Sequence, residues 1–87
     1  MPKVLVLIPS FNEKSSLLKI LKKIKYNVLV MDDCSTDGTS KVIKKINKNN
    51  LKIISNKKNL GYEKNLLKGF QEIFKTDNEA ITKFVYS

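Results

Sequence analysis

The chain has 87 residues, of which 17 are lysine and none arginine, against 8 acids, for a net charge of +9. This length allows one small domain with a modest core and excludes a second, and 41% hydrophobic residues exclude wholesale disorder. Nucleic-acid readers use forked guanidinium contacts and stacking aromatics, so lysines spread over every segment imply a solvated surface with salt-screened attraction to polyanions and no specific nucleic-acid partner.

The first predicted element is a strand over residues 4–8 (VLVLI), an unbroken aliphatic run ended by Pro9 that reads as buried on both faces. Leu17, Leu18, Ile20, Leu21 and Ile24 then recur at the spacing of one helix face, with Lys19, Lys22, Lys23 and Lys25 opposite. Residues 27–31 (NVLVM) repeat the strand pattern. Val42, Ile43 and Ile46 mark a shorter helix after STDG, where Ser35 or Thr36 is expected to cap and Asp37 suits the positive end of the helix dipole. A third strand is expected over 51–55 (LKIIS) and a third helix over 62–75, marked by Leu66, Leu67, Phe70, Ile73 and Phe74. A fourth strand is expected over 82–86 (TKFVY). The apolar stripes of all three helices are assigned to core packing.

Strand and helix alternate throughout, so the expected fold class is α/β, a Rossmann-like parallel sheet of about four strands with three helices. In such sheets ligands bind beyond the carboxyl ends of the strands, where strand order reverses. The sequence turns polar at those ends: PSFNE after strand one, DDCSTDG after strand two and NKKNLGYEK after strand three. Neither a P-loop nor a G-x-G-x-x-G dinucleotide fingerprint is present.

The three polar segments carry IPSFNE at 8–13, VMDDCSTDGT at 30–39 and NLGYEKNLLKG at 59–69. In that order, each at a predicted strand end, they resemble the motifs of the inverting family 2 glycosyltransferases: P-x-[YF]-N-E, then V-x-D-D-x-S-x-D-G-T, then N-x-G. The resemblance spans the chain. It implies the nucleotide-binding half of a GT-A fold, transfer from a nucleoside-diphosphate sugar (UDP- or GDP-sugar) without a covalent intermediate, and a divalent metal, Mg or Mn, in the full domain.

The residues agree with those roles as far as their chemistry reaches. Phe11 offers a flat apolar surface for a nucleobase, and Asp32 or Asp33 can accept a base N–H, a contact that rejects analogues lacking the donor. The match implies Asp33 for the base, Asp32 as its neighbour or a structural group, and Glu13 for the base or ribose. Each has a plainer rival: the aspartates as acceptors of turn amides, Glu13 as a first-turn acid, Phe11 as a rim residue of the core, Pro9 as a backbone shaper. Asp37 with Gly38 reads as cap and turn. Cys34 stands where the family often has Gly or Asn, and with no base beside it reads as a tolerated substitution. After N-x-G the family commonly has small residues that admit the pyrophosphate; here Glu63, Lys64 and Asn65 stand there, with Lys64 a point charge for phosphate or a surface lysine.

In the family the strand that TKFVYS resembles leads into an Asp-x-Asp that holds the metal. Residues 1–87 are therefore expected to be the N-terminal, nucleotide-sugar-binding part of such a domain, ending before that motif, with no metal ligand assigned within it and no activity alone. An exposed sheet edge is expected beyond the last strand, with self-association through it. The acceptor, whether polysaccharide, lipid-linked or protein, is not specified by the sequence. A lone cysteine fits a reducing cytoplasm, the first ten residues are a poor signal peptide, and no segment approaches a membrane span, which leaves attachment at the inner membrane face to the full protein. The alternatives are a non-catalytic nucleotide-binding or assembly module and a receiver-like signalling domain, whose paired acids would instead follow strand one.

Overall fold

Aliphatic runs without polar interruption give a strand no wet face, and the first two such runs become the central strands of a parallel sheet covered on both sides. A computed structural model describes residues 4–46, 48–76 and 81–84. Its elements follow the expected order: β1 (Val4–Ser10), α1 (Lys14–Lys23), β2 (Asn27–Asp32), α2 (Thr39–Lys44), β3 (Leu51–Ser55), α3 (Tyr62–Thr76) and β4 (Ile81–Phe84). All neighbouring strands are parallel, in the order β3-β2-β1-β4.

The chain thus steps outward from β1 through β2 to β3, then returns across the sheet to lay β4 against the other side of β1. The order reverses at β1, which puts the ligand crevice of an open α/β sheet beyond its carboxyl end. This is the 3-2-1-4 order of dinucleotide-binding folds, and receiver domains are wound differently, 2-1-3, which removes the receiver-like alternative.

Alternation along the strands feeds two cores. Val6, Ile8, Val28 and Val30 pack with Leu17 and Leu21 of α1 and Ile43 of α2, whereas Leu7, Leu29 and Met31 pack with Ile73 of α3 on the other face. Leu7, Val30 and Met31 have no exposed surface, and burial of each such side chain contributes about 1.5–3 kcal/mol. No helix among the described residues is long and apolar enough to cross a membrane.

Four expectations need correction. β1 continues two residues past Ile8, because Pro9 and Ser10 stay in register with Met31 and Asp32 while the described pairing with β4 ends at Leu7, so the proline lies beyond that ladder. α2 ends at Lys44, and Ile46 packs on the core from outside the helix. α3 does not bury its whole apolar set: Leu67 is 56% and Phe74 62% exposed, because Asn65, Gly69 and Ile73, four residues apart, form the stripe that faces the sheet. β4 begins one residue earlier than expected, and Val85 and Tyr86 lie outside the described residues.

Candidate functional site

The loop leaving β1 is fastened to the loop leaving β2. Asn12 takes a left-handed conformation (φ 52°), which asparagine tolerates better than most residues. From there its amide N–H donates to Ser35 Oγ at 2.9 Å, and its side-chain Oδ1 accepts the Thr36 N–H at 2.7 Å. The Ser35 hydroxyl in turn donates to Asp32 Oδ1. Asp32 is buried by these contacts, and its carbonyl accepts the Asn56 N–H at 2.8 Å.

Asp37 joins the same loops through two helices. Its Oδ2 accepts the Lys14 N–H at the start of α1 at 3.1 Å, and its Oδ1 accepts both the N–H (3.1 Å) and the hydroxyl of Thr39 at the start of α2. These bonds, the Thr39 hydroxyl foremost, hold its carboxyl below the usual aspartate range against an opposing effect of burial. The expected cap at Ser35 or Thr36 is therefore corrected: both face the Asn12 loop, and Gly38 at the N-cap position leaves the capping oxygen to Asp37.

Asp33, the second acid of the pair, is 2% exposed and held from the third loop. Leu60 N–H donates to its Oδ1 at 2.8 Å and Gly61 N–H to its Oδ2 at 2.9 Å. Gly61 sits at φ 87°, where a side chain would be strained, and that conformation presents successive amides to one carboxylate. Asn59 holds the turn from both ends, its Nδ2 donating to the Asp33 carbonyl at 3.2 Å and its Oδ1 accepting the Gly61 N–H at 3.1 Å. The N-x-G motif thus clamps the aspartate of the preceding motif.

Behind the clamp lies a buried amide network. Asn56 Nδ2 donates to Asp33 Oδ1 at 2.9 Å and to Asn65 Oδ1 at 2.8 Å, while Asn56 Oδ1 accepts Lys68 Nζ at 2.8 Å. Asn65 Nδ2 donates to the Met31 carbonyl at 2.9 Å. Buried polar groups are tolerated when each is paired in this way. The Ser10 hydroxyl is the exception, buried without a partner among the described residues.

A cleft of about 280 Å³ opens over Asp33 at the reversal point. Pro9 lines it from the end of β1, Phe11 and Glu13 from the loop that follows, and Asn59 and Gly61 from the β3 loop. Phe11 is 47% exposed, so its ring offers a free face there. Glu13 occupies the N-cap of α1 rather than its first turn and makes no capping bond with its carboxylate. The structure thus brings together Pro9, Phe11, Glu13 and Asp33. Asp32 is not among the lining residues, and Lys64 is exposed in the first turn of α3 on an adjoining shallow groove with Glu63. Asn65, which stands where the family commonly has a small residue, is buried, lines the floor of the cleft and donates its amide to the Met31 carbonyl. Cys34, at φ 60°, makes a weak contact from Sγ to the Lys57 carbonyl at 3.7 Å.

Sequence reasoning gave no role to Asn56, Asn65 or Lys68, and none to the Asn12 side chain. Asn12, Asn59 and Gly61 stood within quoted motifs, so their spacing was a signal; Asn56 and Lys68 carried none beyond their place after β3 and on α3. As for a divalent metal, no group of three His, Cys, Asp or Glu residues comes together among the described residues. Asp32 and Asp33 are already engaged by hydroxyl, amide and backbone donors. These residues do not fit a metal centre, and no step is assigned to one.

A family model described as glycosyl transferase family 2 matches residues 5–76. The chain is also similar to an uncharacterized protein of Methanocaldococcus jannaschii, 39% identical over 72 residues, a match that covers 76% of this chain and 31% of that protein. The chain thus spans about a third of the length of that relative. No solved structure matches it. The matched span runs from β1 through α3 and contains all three loops that build the cleft, and on that match the chain belongs to glycosyl transferase family 2.

Proposed function

We propose that residues 1–87 form the nucleotide-sugar-binding part of a glycosyltransferase, holding a nucleoside diphosphate by its base in the cleft above Asp33. The observation that carries this reading is Asp33 itself: a buried carboxylate at a strand-order reversal, lining an open cleft and held rigidly by two backbone amides and an asparagine. Asp33 accepts a base N–H, the exposed face of Phe11 stacks on the base, and Glu13 meets the base or a ribose hydroxyl. Lys64, outside the cleft, supplies a point charge toward the diphosphate. Asp32 supports the loop and touches no ligand. In the whole protein, transfer to an acceptor and any divalent metal draw on groups other than these, in a reducing cytoplasm.

An amide NMR titration of the chain with UDP and GDP tests the reading. Saturable shifts confined to Phe11, Glu13, Asp33 and the 59–61 turn are expected. A well-dispersed spectrum that neither nucleotide moves would leave the architecture without the binding and favour a non-catalytic assembly module.

A further inference from the structure

α1 and α2 lie side by side over one face of the sheet, with Leu17, Leu21 and Ile43 turned inward. The only charged residues on either helix are lysines. Lys19, Lys22 and Lys23 of α1, Lys41 and Lys44 of α2 and Lys45 at its end are all exposed. Among the described residues from 14 to 62 no carboxylate is exposed: Asp32 and Asp33 are buried, and Asp37 is tied to the starts of both helices. The other described acids are Glu13 at the cleft and Glu63 and Glu72 on α3, across the sheet. Lysines in a last turn suit the helix dipole. Lys19 with Lys22 and Lys23, and Lys41 with Lys44 and Lys45, nevertheless stand three or four residues apart, where like charges destabilise a helix. With no acid between them, that repulsion is left for a partner to relieve.

An apolar feature breaks this charged surface. Between α1 and the turn after α2 a slot of about 150 Å³ is lined by Leu18, Leu21 and Ile46, with Lys22 and Lys48. Lys48 Nζ donates to the Leu21 carbonyl at 2.6 Å and to the Ile24 carbonyl at 3.4 Å. Those oxygens are neutral, so an ammonium is fixed beside the slot with its charge uncancelled. Aliphatic side chains between ammonium groups match an amphiphile with an anionic head. They do not match a nucleic acid, for which the chain has no guanidinium and these two helices no aromatic ring. Tyr26, exposed three residues past α1, adds a ring of the kind that sits at headgroup level. We propose that the outer face of α1 and α2 docks on an anionic lipid membrane, its lysines on the headgroups and the apolar part of one lipid at the slot between Leu18 and Ile46. The contact draws on none of Phe11, Glu13 or Asp33, so it stands or falls apart from the nucleotide-binding reading.

Flotation with vesicles of phosphatidylcholine, alone or with about 30% phosphatidylglycerol, tests this at about 100 mM sodium chloride. Each lysine at an anionic surface contributes about fivefold in partitioning. The triple variant Lys19→Gln, Lys22→Gln, Lys23→Gln is therefore expected to lose binding to the anionic vesicles by about tenfold or more. A control triple, Lys52→Gln, Lys57→Gln, Lys58→Gln, removes the same charge from β3 and its loop and is expected to lose less than about threefold. All six lysines are exposed and their removal relieves repulsion, so both variants are expected to fold. Leu18→Gln, which puts an amide into the slot, is expected to weaken vesicle binding severalfold and leave attraction to duplex DNA unchanged. Equal losses in the two triple variants would mean attraction by net charge alone and overturn the docking face, as would a wild-type chain that leaves the anionic vesicles unbound. Tighter binding to duplex DNA than to vesicles through Lys19, Lys22 and Lys23 would give the face to nucleic acid instead. Unchanged affinity in a folded Leu18→Gln removes the lipid from the slot, and if that variant does not fold, the two lysine triples decide.

Discussion

Asp37 shows how far a single carboxylate can reach in a small fold. One oxygen serves the start of α1 and the other the start of α2, so the two helices that cover one face of the sheet share a cap. Replacing a capping aspartate by alanine costs about 1 kcal/mol per helix end, and Asp37→Ala is expected to lower stability by about 1–2 kcal/mol in urea denaturation at pH 7. The pH dependence follows from the depressed carboxyl. The unfolded chain takes up this proton at about pH 3.9, above the folded value, so the contribution is complete above that point and is lost as pH falls through the folded pKa. The stability gap between wild type and Asp37→Asn is therefore expected to be constant from pH 7 to about pH 5 and to close below about pH 4. A gap that persists undiminished at pH 2.5 would mean that the charge is not what the helix ends use.

At the scale of elements, α3 approaches the sheet through Gly69. A Cβ there would stand 2.8 Å from Leu7 Cδ1 and 3.0 Å from Met31 Cγ, both in side chains without exposed surface. Gly69→Ala sets a helix-propensity gain of about 1 kcal/mol against this overlap. Gly69→Val adds a second carbon and a stiff χ1, and is expected to cost about 2 kcal/mol or more in thermal or urea unfolding. A variant as stable as wild type would show that α3 can ride away from β1 and β2 freely. The same helix marks the limit of what the sequence told. Its ends were legible to within a residue from apolar spacing, but its buried face only in part, at Leu66 and Ile73. Hydropathy points to Leu67 and Phe74, and the sheet instead receives an asparagine and a glycine, whose place depends on a partner amide on Asn56 and on side-chain volume at Leu7 and Met31. The strands were legible because a parallel central strand needs an unbroken aliphatic run. The lining of the candidate cleft was legible where a motif named its residues, as at Phe11, Glu13 and Asp33. It was silent on Asn56 and Lys68, whose contacts join residues 12 apart across the turn between β3 and α3.

For the whole molecule, charge is the unbalanced quantity. The chain carries 17 lysines and 8 acids. Three of those acids, Asp32, Asp33 and Asp37, are engaged by hydroxyl, amide and backbone N–H donors, which satisfy a carboxylate without a lysine beside it. Two lysines are likewise spent on neutral oxygens: Lys48 Nζ donates to the Leu21 carbonyl at 2.6 Å and closes the end of α1, and Lys68 meets Asn56. The remaining lysines share a domain whose Cα radius of gyration is 12.1 Å, so most lie within two or three Debye lengths of one another at low salt. Repulsion of this kind disfavours the compact state, and salt relieves it. The melting temperature is expected to rise as sodium chloride goes from about 20 to about 300 mM, where the Debye length shrinks from roughly 20 to roughly 6 Å. A fall over that range would mean that attractive pairs outweigh the excess of lysine. On the proposed nucleotide-binding reading, the positive field that destabilises the free chain would favour an arriving diphosphate, and that part of the affinity is expected to weaken with salt over the same interval.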